Sequence, residues 1–365
     1  MKSYRIFTIL TLFVLVFAMV ACTTQTATPA QQQEQTTEKK VVIGFSQVTL
    51  DSPFYVELMK AAQAEAEKNG AELVYLDAQN NIEKQIKDIQ DLITRGVDVM
   101  ILNAVNPESI VPAVNALNDA GIKVVTVDRP ITPKVASFVG RDNFEMGRLS
   151  GEYAAKLLNG KGKVIEIQGA AGDKVMMARR DGFHSVIDKY PDIQVIQSPY
   201  SDYVRSKAVT AFQDMIQANP DVNLVYAHND DMALGAVQVL ESQKITGVKV
   251  VGVDCLMEAV KAIKDGRYDS TTANDPQYLG TVAVQVALRV LAGEKVPEYV
   301  DTGTTLITKD NVDQYVGNTG TFCTYTPTID FAGGKAAEQP ATEPAASTTE
   351  KKVVIGFSQV TLDSP

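Results

Sequence analysis

A series of short apolar runs in this chain each end on residues that can hydrogen-bond. Asn103 follows Val97–Leu102, Asp128 and Arg129 follow Lys123–Val127, Asn229 and Asp230 follow Asn223–Ala227, Asp254 follows Lys249–Val253, and Asn274 follows Ser270–Ala273. Amides, carboxylates and a guanidinium facing one cleft would form a ring of donors and acceptors, chemistry suited to recognition. Asp and Asn in such places also cap the helix that follows, so each has a plainer role as well, and Asp231 and Asn143 read as caps. Arg129 is harder to explain that way, because an arginine after a buried strand needs a carboxylate or a ligand to answer its charge. Phe54 and Tyr55 add two rings just past Pro53, where a strand gives way to a helix. Ligands of open α/β sheets bind outside the carboxyl ends of the strands, which puts both rings at a ligand mouth; the alternative is that they are core aromatics.

Catalytic groupings are sparse. The two histidines, His184 and His228, are far apart in sequence, and there is no Gly-x-Ser-x-Gly, Walker-type loop or spaced set of metal ligands. Gly169-Ala-Ala-Gly172 fits only two glycines of a dinucleotide fingerprint and reads as a tight turn. His184 reads as a surface or packing residue, and His228 as support for Asn229 beside it. Neither suggests a base, and the sequence calls for no cofactor.

The elements that must position these residues alternate almost without a break. Val41–Phe45 is a short apolar run of the kind that forms a parallel strand covered on both faces. Asp51 or Ser52 caps the next helix, Pro53 suits its first position, and Asn69-Gly70 stops it. Further strands are read at 73–76, 97–102, 123–127, 163–167, 193–197, 223–227, 249–253 and 270–273. Between them lie a helix marked by Ile82, Ile86, Ile89 and Ile93, and helices at 107–120, 144–159, 175–190, 205–219, 232–242, 256–264 and 278–292. Right-handed crossovers between parallel strands then give two doubly wound α/β sheets, one per domain.

At the start, Lys2 and Arg5 precede the apolar run Ile6–Val20, which ends at Ala21-Cys22. This is the pattern of an export signal over 1–21, too short to span a membrane. Met19-Val-Ala-Cys22 resembles the lipidation site of bacterial lipoproteins, although Met19 is unusual there, and diacylation of Cys22 would anchor the mature chain by lipid. An ordinary cleaved signal is the alternative. Residues 22–38, rich in Thr, Gln, Ala and Pro, read as a disordered tether.

Losing residues 1–21 removes two of the 34 basic residues and none of the 44 acidic ones, leaving a formal charge of −12. With no Lys/Arg cluster interleaved with aromatics, nothing marks a nucleic-acid partner. Roughly 290 residues then remain before the tail, more than one core usually organises. Cys255 is read as a small buried residue and Cys323 as a free thiol; a disulfide between them is the alternative that an oxidising compartment permits. Residues 348–365 copy residues 36–53 without a change, after a linker over 328–347. A lone strand buries too little to fold, so the copy is expected to be disordered and without a part in ligand binding.

These residues together carry a family resemblance over roughly Lys39 to Tyr315. The phrases are Thr49-Leu-Asp-Ser-Pro-Phe-Tyr55, Leu76-Asp-Ala-Gln-Asn-Asn81, Val127-Asp-Arg129, Asp142-Asn143, Arg179 before Gly182-Phe183, Asn229-Asp-Asp-Met-Ala-Leu-Gly-Ala236 and Val251-Gly-Val-Asp254. The chain resembles periplasmic sugar-binding proteins of the ribose-binding type. The resemblance implies two doubly wound lobes, 39–141 plus 275–303 and 142–274 plus 304–327. Three hinge crossings near 141–143, 274–276 and 303–305 would join them. It implies a monomer outside the cytoplasm that closes on one monosaccharide and delivers it to a membrane-embedded ABC permease, with a receptor role in chemotaxis or sensing as the alternative.

By position, the family's ligand contacts fall on Ser52, Phe54, Tyr55, Asn103, Asp128, Arg129, Arg141, Arg179, Tyr203, Asn229, Asp254 and Asn274. Ser52 stands where asparagine is usual, Asn274 replaces a glutamine, Arg141 stands where a small residue is common, and Cys255 stands in place of glycine. Such changes alter which ligand hydroxyls find partners, so they point away from ribose itself.

Overall fold

The computed structural model describes residues 39–334. The readings of an export signal, of lipidation at Cys22, of a tether and of a disordered repeat at 348–365 fall outside these residues. In chain order the described elements begin with β1 (Val42–Gln47), α1 (Pro53–Lys68), β2 (Glu72–Asp77), α2 (Ile82–Arg95), β3 (Val99–Leu102), α3 (Val111–Asp119), β4 (Lys123–Val127) and β5 (Ser137–Gly140). The middle of the chain forms α4 (Asn143–Leu157), β6 (Lys161–Ile167), α5 (Lys174–Ile187), β7 (Asp192–Gln197), α6 (Arg205–Ala218), β8 (Leu224–Ala227), α7 (Asp230–Ser242), β9 (Lys249–Val251), α8 (Met257–Asp265) and β10 (Ser270–Thr272). Then come α9 (Pro276–Leu291), β11 (Tyr299–Asp301) and β12 (Leu306–Thr308).

Two six-stranded sheets result, ordered β11-β5-β4-β3-β1-β2 and β12-β10-β9-β8-β6-β7. Each carries the doubly wound reversal, since β1 lies between β2 and β3, and β6 between β7 and β8. The pairing is parallel, with Phe45 opposite both Tyr75 and Ile101, except that β12 runs antiparallel to β10. Apolar strands suit this layout because helices cover both faces. On the first sheet, one core packs Leu58 and Ala62 of α1 and Leu279 and Ala283 of α9 on Ile43 and Phe45, while the other packs Ile89 of α2 and Val114 of α3 on Met100 and Leu102. The second sheet is covered by α6, α7 and α8 on one side and by α4 and α5 on the other.

The contact between α4 and α5 fixes a site residue. A Cβ on Gly147 would come within 2.0 Å of the Arg179 carbonyl oxygen, and one on Gly182 within 2.0 Å of the Phe144 carbonyl oxygen. Backbone therefore meets backbone, and α5 is held at a depth that only glycine allows.

The central strands and the helices lie close to where periodicity puts them. Strands β5, β11 and β12 do not appear in the sequence reading, because three or four residues of mixed polarity carry too little pattern. The chain passes between the sheets from β5 to α4, from β10 to α9 and from β11 to β12. It then passes a fourth time. From Cys323, beside the second sheet, it returns to the first, where Ile329 is 9% exposed and Phe331 packs on the same core. The Asp301 N–H donates to the Gly334 carbonyl at 2.8 Å. A linker starting at 328 is therefore corrected: residues 328–334 are docked, because two apolar side chains gain burial there.

Candidate functional site

The carboxyl ends of both sheets face a cavity of about 1010 Å³ with residues of both lobes in its walls. In the first lobe, Pro53 starts α1 with Ser52 at the N-cap position but without a side-chain capping bond. The next two rings, Phe54 and Tyr55, meet edge to face at 5.6 Å. Asp128 follows β4 at φ 65°, a conformation that Asp tolerates better than most residues. Its Oδ1 accepts from Arg141 Nη2 at 2.8 Å and its Oδ2 from the Tyr55 hydroxyl at 3.2 Å. Arg129 Nη2 in turn donates to the Tyr55 oxygen at 3.1 Å. The Arg141 guanidinium lies 5.0 Å from the Phe54 ring centre, a cation–π contact, and its side chain is 2% exposed. Nε and Nη1 of Arg141, and Nε of Arg129, are buried without a hydrogen-bond partner among the described residues.

The second lobe supplies a denser network. Arg179 donates Nε to Asn143 Oδ1 at 2.9 Å, Nη1 to the His228 carbonyl at 2.5 Å and Nη2 to Asp254 Oδ1 at 3.2 Å. Asn274 Nδ2 donates to the same Asp254 oxygen at 2.7 Å, while its own Oδ1 is buried without a partner among the described residues. Burial pushes the Asp254 carboxyl up from its ordinary value and Arg179 partly offsets this. Burial likewise raises the Tyr55 phenol, against the pull of Arg129, so it stays protonated in neutral solution. Tyr203, at φ 61°, donates its hydroxyl to Asp173 Oδ2 at 2.7 Å, over Gly169, where a Cβ would meet its ring at 2.5 Å. Lys174 Nζ reaches Glu108 Oε1 of the first lobe at 3.4 Å.

Ser52, Phe54, Tyr55, Asp128, Arg129, Arg141, Arg179, Tyr203, Asn229, Asp254 and Asn274 all line the cavity. Asn103 is not among the residues that line it. It is fully buried, donating Nδ2 to Gln47 Oε1 at 2.8 Å while its backbone carbonyl accepts from Gln85 at 2.8 Å, and its Oδ1 is buried without a partner among the described residues. The expected caps are exchanged too. Asn229 Oδ1 caps α7 and Asp142 caps α4, whereas Asn143 holds Arg179 and Asp231 pairs with Arg205. Sequence reasoning also missed Asp173, which lines the cleft and caps α5. Its signal was an Asp directly before a helical run. Finally, Cys255 and Cys323 do form a disulfide, with α-carbons 5.5 Å apart, which overturns the reading of a free thiol.

Residues 43–295 match the family model described as periplasmic binding protein domain. The chain belongs to this family. It is 34% identical over 285 residues to the ribose import binding protein of Bacillus subtilis, covering 78% of this chain and 92% of that protein. It is 33% identical over 267 residues to a xylitol-binding protein of Mycolicibacterium smegmatis, covering 72% and 76%. Among solved structures, an ABC transporter solute binding protein from Mycobacterium smegmatis with bound glycerol superposes with a TM-score of 0.76 at 54% identity, covering 78% of this chain and all of that one. Among the described residues of this family member, no helix is long and apolar enough to cross a membrane.

Behind the cleft wall, fully buried Glu166 accepts from His228 Nε2 at 2.8 Å and pairs with His184 Nε2 at 3.0 Å. Burial alone would raise the Glu166 carboxyl, but the hydrogen bonds from His184 and His228 outweigh it and hold it down at about 2. The hydrogen bond to Glu166 raises His184 from 6.5 to about 9, against burial and with help from Asp188. A raised histidine stabilises fully below its ordinary 6.5 and loses that as pH climbs through 9. A lowered carboxylate stabilises fully above its ordinary 4.5 and loses that as pH falls towards 2. This cluster therefore favours the fold most between those two ordinary values. We expect the melting temperature to fall between pH 6.5 and 9 in the native chain and to fall less in His184→Gln. Parallel alkaline slopes in calorimetry would contradict this.

Proposed function

We propose that this protein captures one neutral monosaccharide or polyol outside the cytoplasm by closing its two lobes, and hands it to a membrane-embedded ABC permease. The observation that carries the reading is the set of buried guanidinium N–H groups of Arg141 and Arg129 with no partner among the described residues, on a wall that also bears Phe54 and Tyr55. Unpaired buried donors are costly, and hydroxyl oxygens answer them without adding charge. Asp128 and Asp254 accept from ligand hydroxyls in return, and the aromatic rings of Phe54, Tyr55 and Tyr203 lie against C–H faces. Arg129, Arg141 and Arg179 are balanced by Asp128, Asp173 and Asp254 in the same cavity, which favours a neutral ligand over an anion.

The relatives that bind ribose, xylitol and glycerol support the ligand class. Ser52, Asn229 and Asn274 complete the contacts in this reading. The chain acts as a monomer, and diacylation of Cys22 tethers it to the membrane. Small-angle scattering with and without a bound sugar tests the closing motion: the radius of gyration should shrink on binding, and an unchanged value would contradict capture by closure.

A further inference from the structure

The fourth passage of the chain forms part of the cleft. Thr321–Cys323 runs antiparallel to Cys255–Met257: the Met257 N–H donates to the Thr321 carbonyl at 2.9 Å, and the Cys323 N–H to the Cys255 carbonyl at 2.9 Å. The disulfide makes this pairing covalent across 68 residues of sequence. Further on, the Tyr325 N–H donates to Asp275 Oδ2 at 3.0 Å and its hydroxyl to the Thr304 carbonyl at 3.2 Å, so the strap is tied to two hinge crossings before it reaches the first lobe.

Two features connect this strap to ligand. Thr321 and Phe322 line the cavity, and the Phe322 ring, 6% exposed, meets Phe54 edge to face at 5.6 Å. Phe54 is the ring that Arg141 covers, so Phe322 closes the end of the aromatic wall. Asp254 and Cys255, in addition, sit at φ 120° and 58°, conformations that side-chain-bearing residues rarely adopt. Something must hold that turn, and the covalent bond at Cys255 lies one residue from the carboxylate that receives Arg179 and Asn274.

We propose that Phe322 is a specificity-determining residue that limits ligand size at the Phe54 end of the cleft, and that the Cys255–Cys323 disulfide positions both Phe322 and Asp254. This rests on the reading of the cleft as a sugar or polyol site. The test titrates the full chain, its Phe322→Ala and Phe322→Leu variants and a Cys255→Ala/Cys323→Ala double variant with linear polyols from glycerol to sorbitol, and with a pentose and a hexose. Phe322→Ala should shift the preference towards the larger ligands by about tenfold, and Phe322→Leu should keep most of the native ranking. The double variant should bind the best ligand about tenfold more weakly and shift the ranking the same way, because both the wall and Asp254 lose their anchor. A uniform drop in affinity or melting temperature with the native ranking kept would overturn the proposal and leave the strap a stabilising element. Silence of the native chain towards every ligand would overturn the sugar-site reading itself, and this proposal with it.

Discussion

Arg179→Ala should destabilise the protein by about 3–5 kcal/mol and weaken ligand binding by at least about 2 kcal/mol, because it strips the partner from a buried carboxylate. Arg179 is 3% exposed and its three nitrogen atoms each serve a different partner, Asn143, the His228 carbonyl and Asp254. Without it, Asp254 keeps only Asn274, and the amide oxygen of Asn143 and the His228 carbonyl lose their donor. Ionised Asp254 is already disfavoured by burial, so the variant will take up a proton there more readily and present a poorer acceptor to ligand. Arg179→Lys restores the charge but not the fork, since one ammonium cannot meet three acceptors in the same geometry. Its stability and affinity should fall between the two. Denaturant titration and calorimetry on the three proteins measure both effects. Near-native values for the alanine variant would show that Asp254 is held by something else.

A second large effect is expected on the opposite wall. Asp128 accepts from Arg141 and Tyr55 and lies 3.9 Å from Arg129 Nε, so one carboxylate organises two guanidinium groups and a phenol. Asp128→Ala leaves Arg141, whose side chain is 2% exposed, with none of its three nitrogens paired to a carboxylate, a loss of about 3–5 kcal/mol in stability. Affinity should fall with it, because the Arg141 plane over Phe54 and the Tyr55 hydroxyl are both released. Asp128→Asn is the informative control. Asparagine tolerates φ 65° and can still accept from Arg141, so its cost should be about 1–3 kcal/mol and reports the charge rather than the shape. Equal losses in the two variants would mean that the charge, not hydrogen-bond geometry, holds the wall.

Much of this architecture is legible in the sequence for a physical reason. Strands covered by helices on both faces must be apolar throughout, and helices between them must repeat their apolar residues at helical spacing, so β1 to β4 and α1 to α9 announce themselves. The same logic finds the cleft, because strands of a doubly wound sheet all end on one side and polar residues there have few other uses. It fails where a residue has two uses. Asn103 stands at a strand end like Asp128, yet its amide N–H goes to Gln47 and its backbone carbonyl receives Gln85, and neither glutamine signals that from a distance in sequence. Asn143 and Asp142 are adjacent, and only the placement of α5 decides which one caps and which one reaches Arg179.

Long-range pairing is the other blind spot. Cys255 and Cys323 come together because the chain folds back along Leu256, a contact between backbones that no local pattern encodes. Ile329 and Phe331, likewise, look like stray apolar residues in a linker until the core of the first lobe receives them. The substitution of cysteine at a position where the family resemblance implies glycine becomes intelligible at φ 58°, where the missing conformational freedom is replaced by a covalent tether.

In the proposed function this cleft holds one neutral polyhydroxylated molecule. Isothermal titration of the chain with a panel of pentoses, hexoses and linear polyols tests it most directly. At least one member should bind one to one with micromolar affinity or better, on the order of −8 kcal/mol, and with a negative heat-capacity change as the lobes close over it. A panel that evolves no heat of binding at millimolar concentrations would contradict the account.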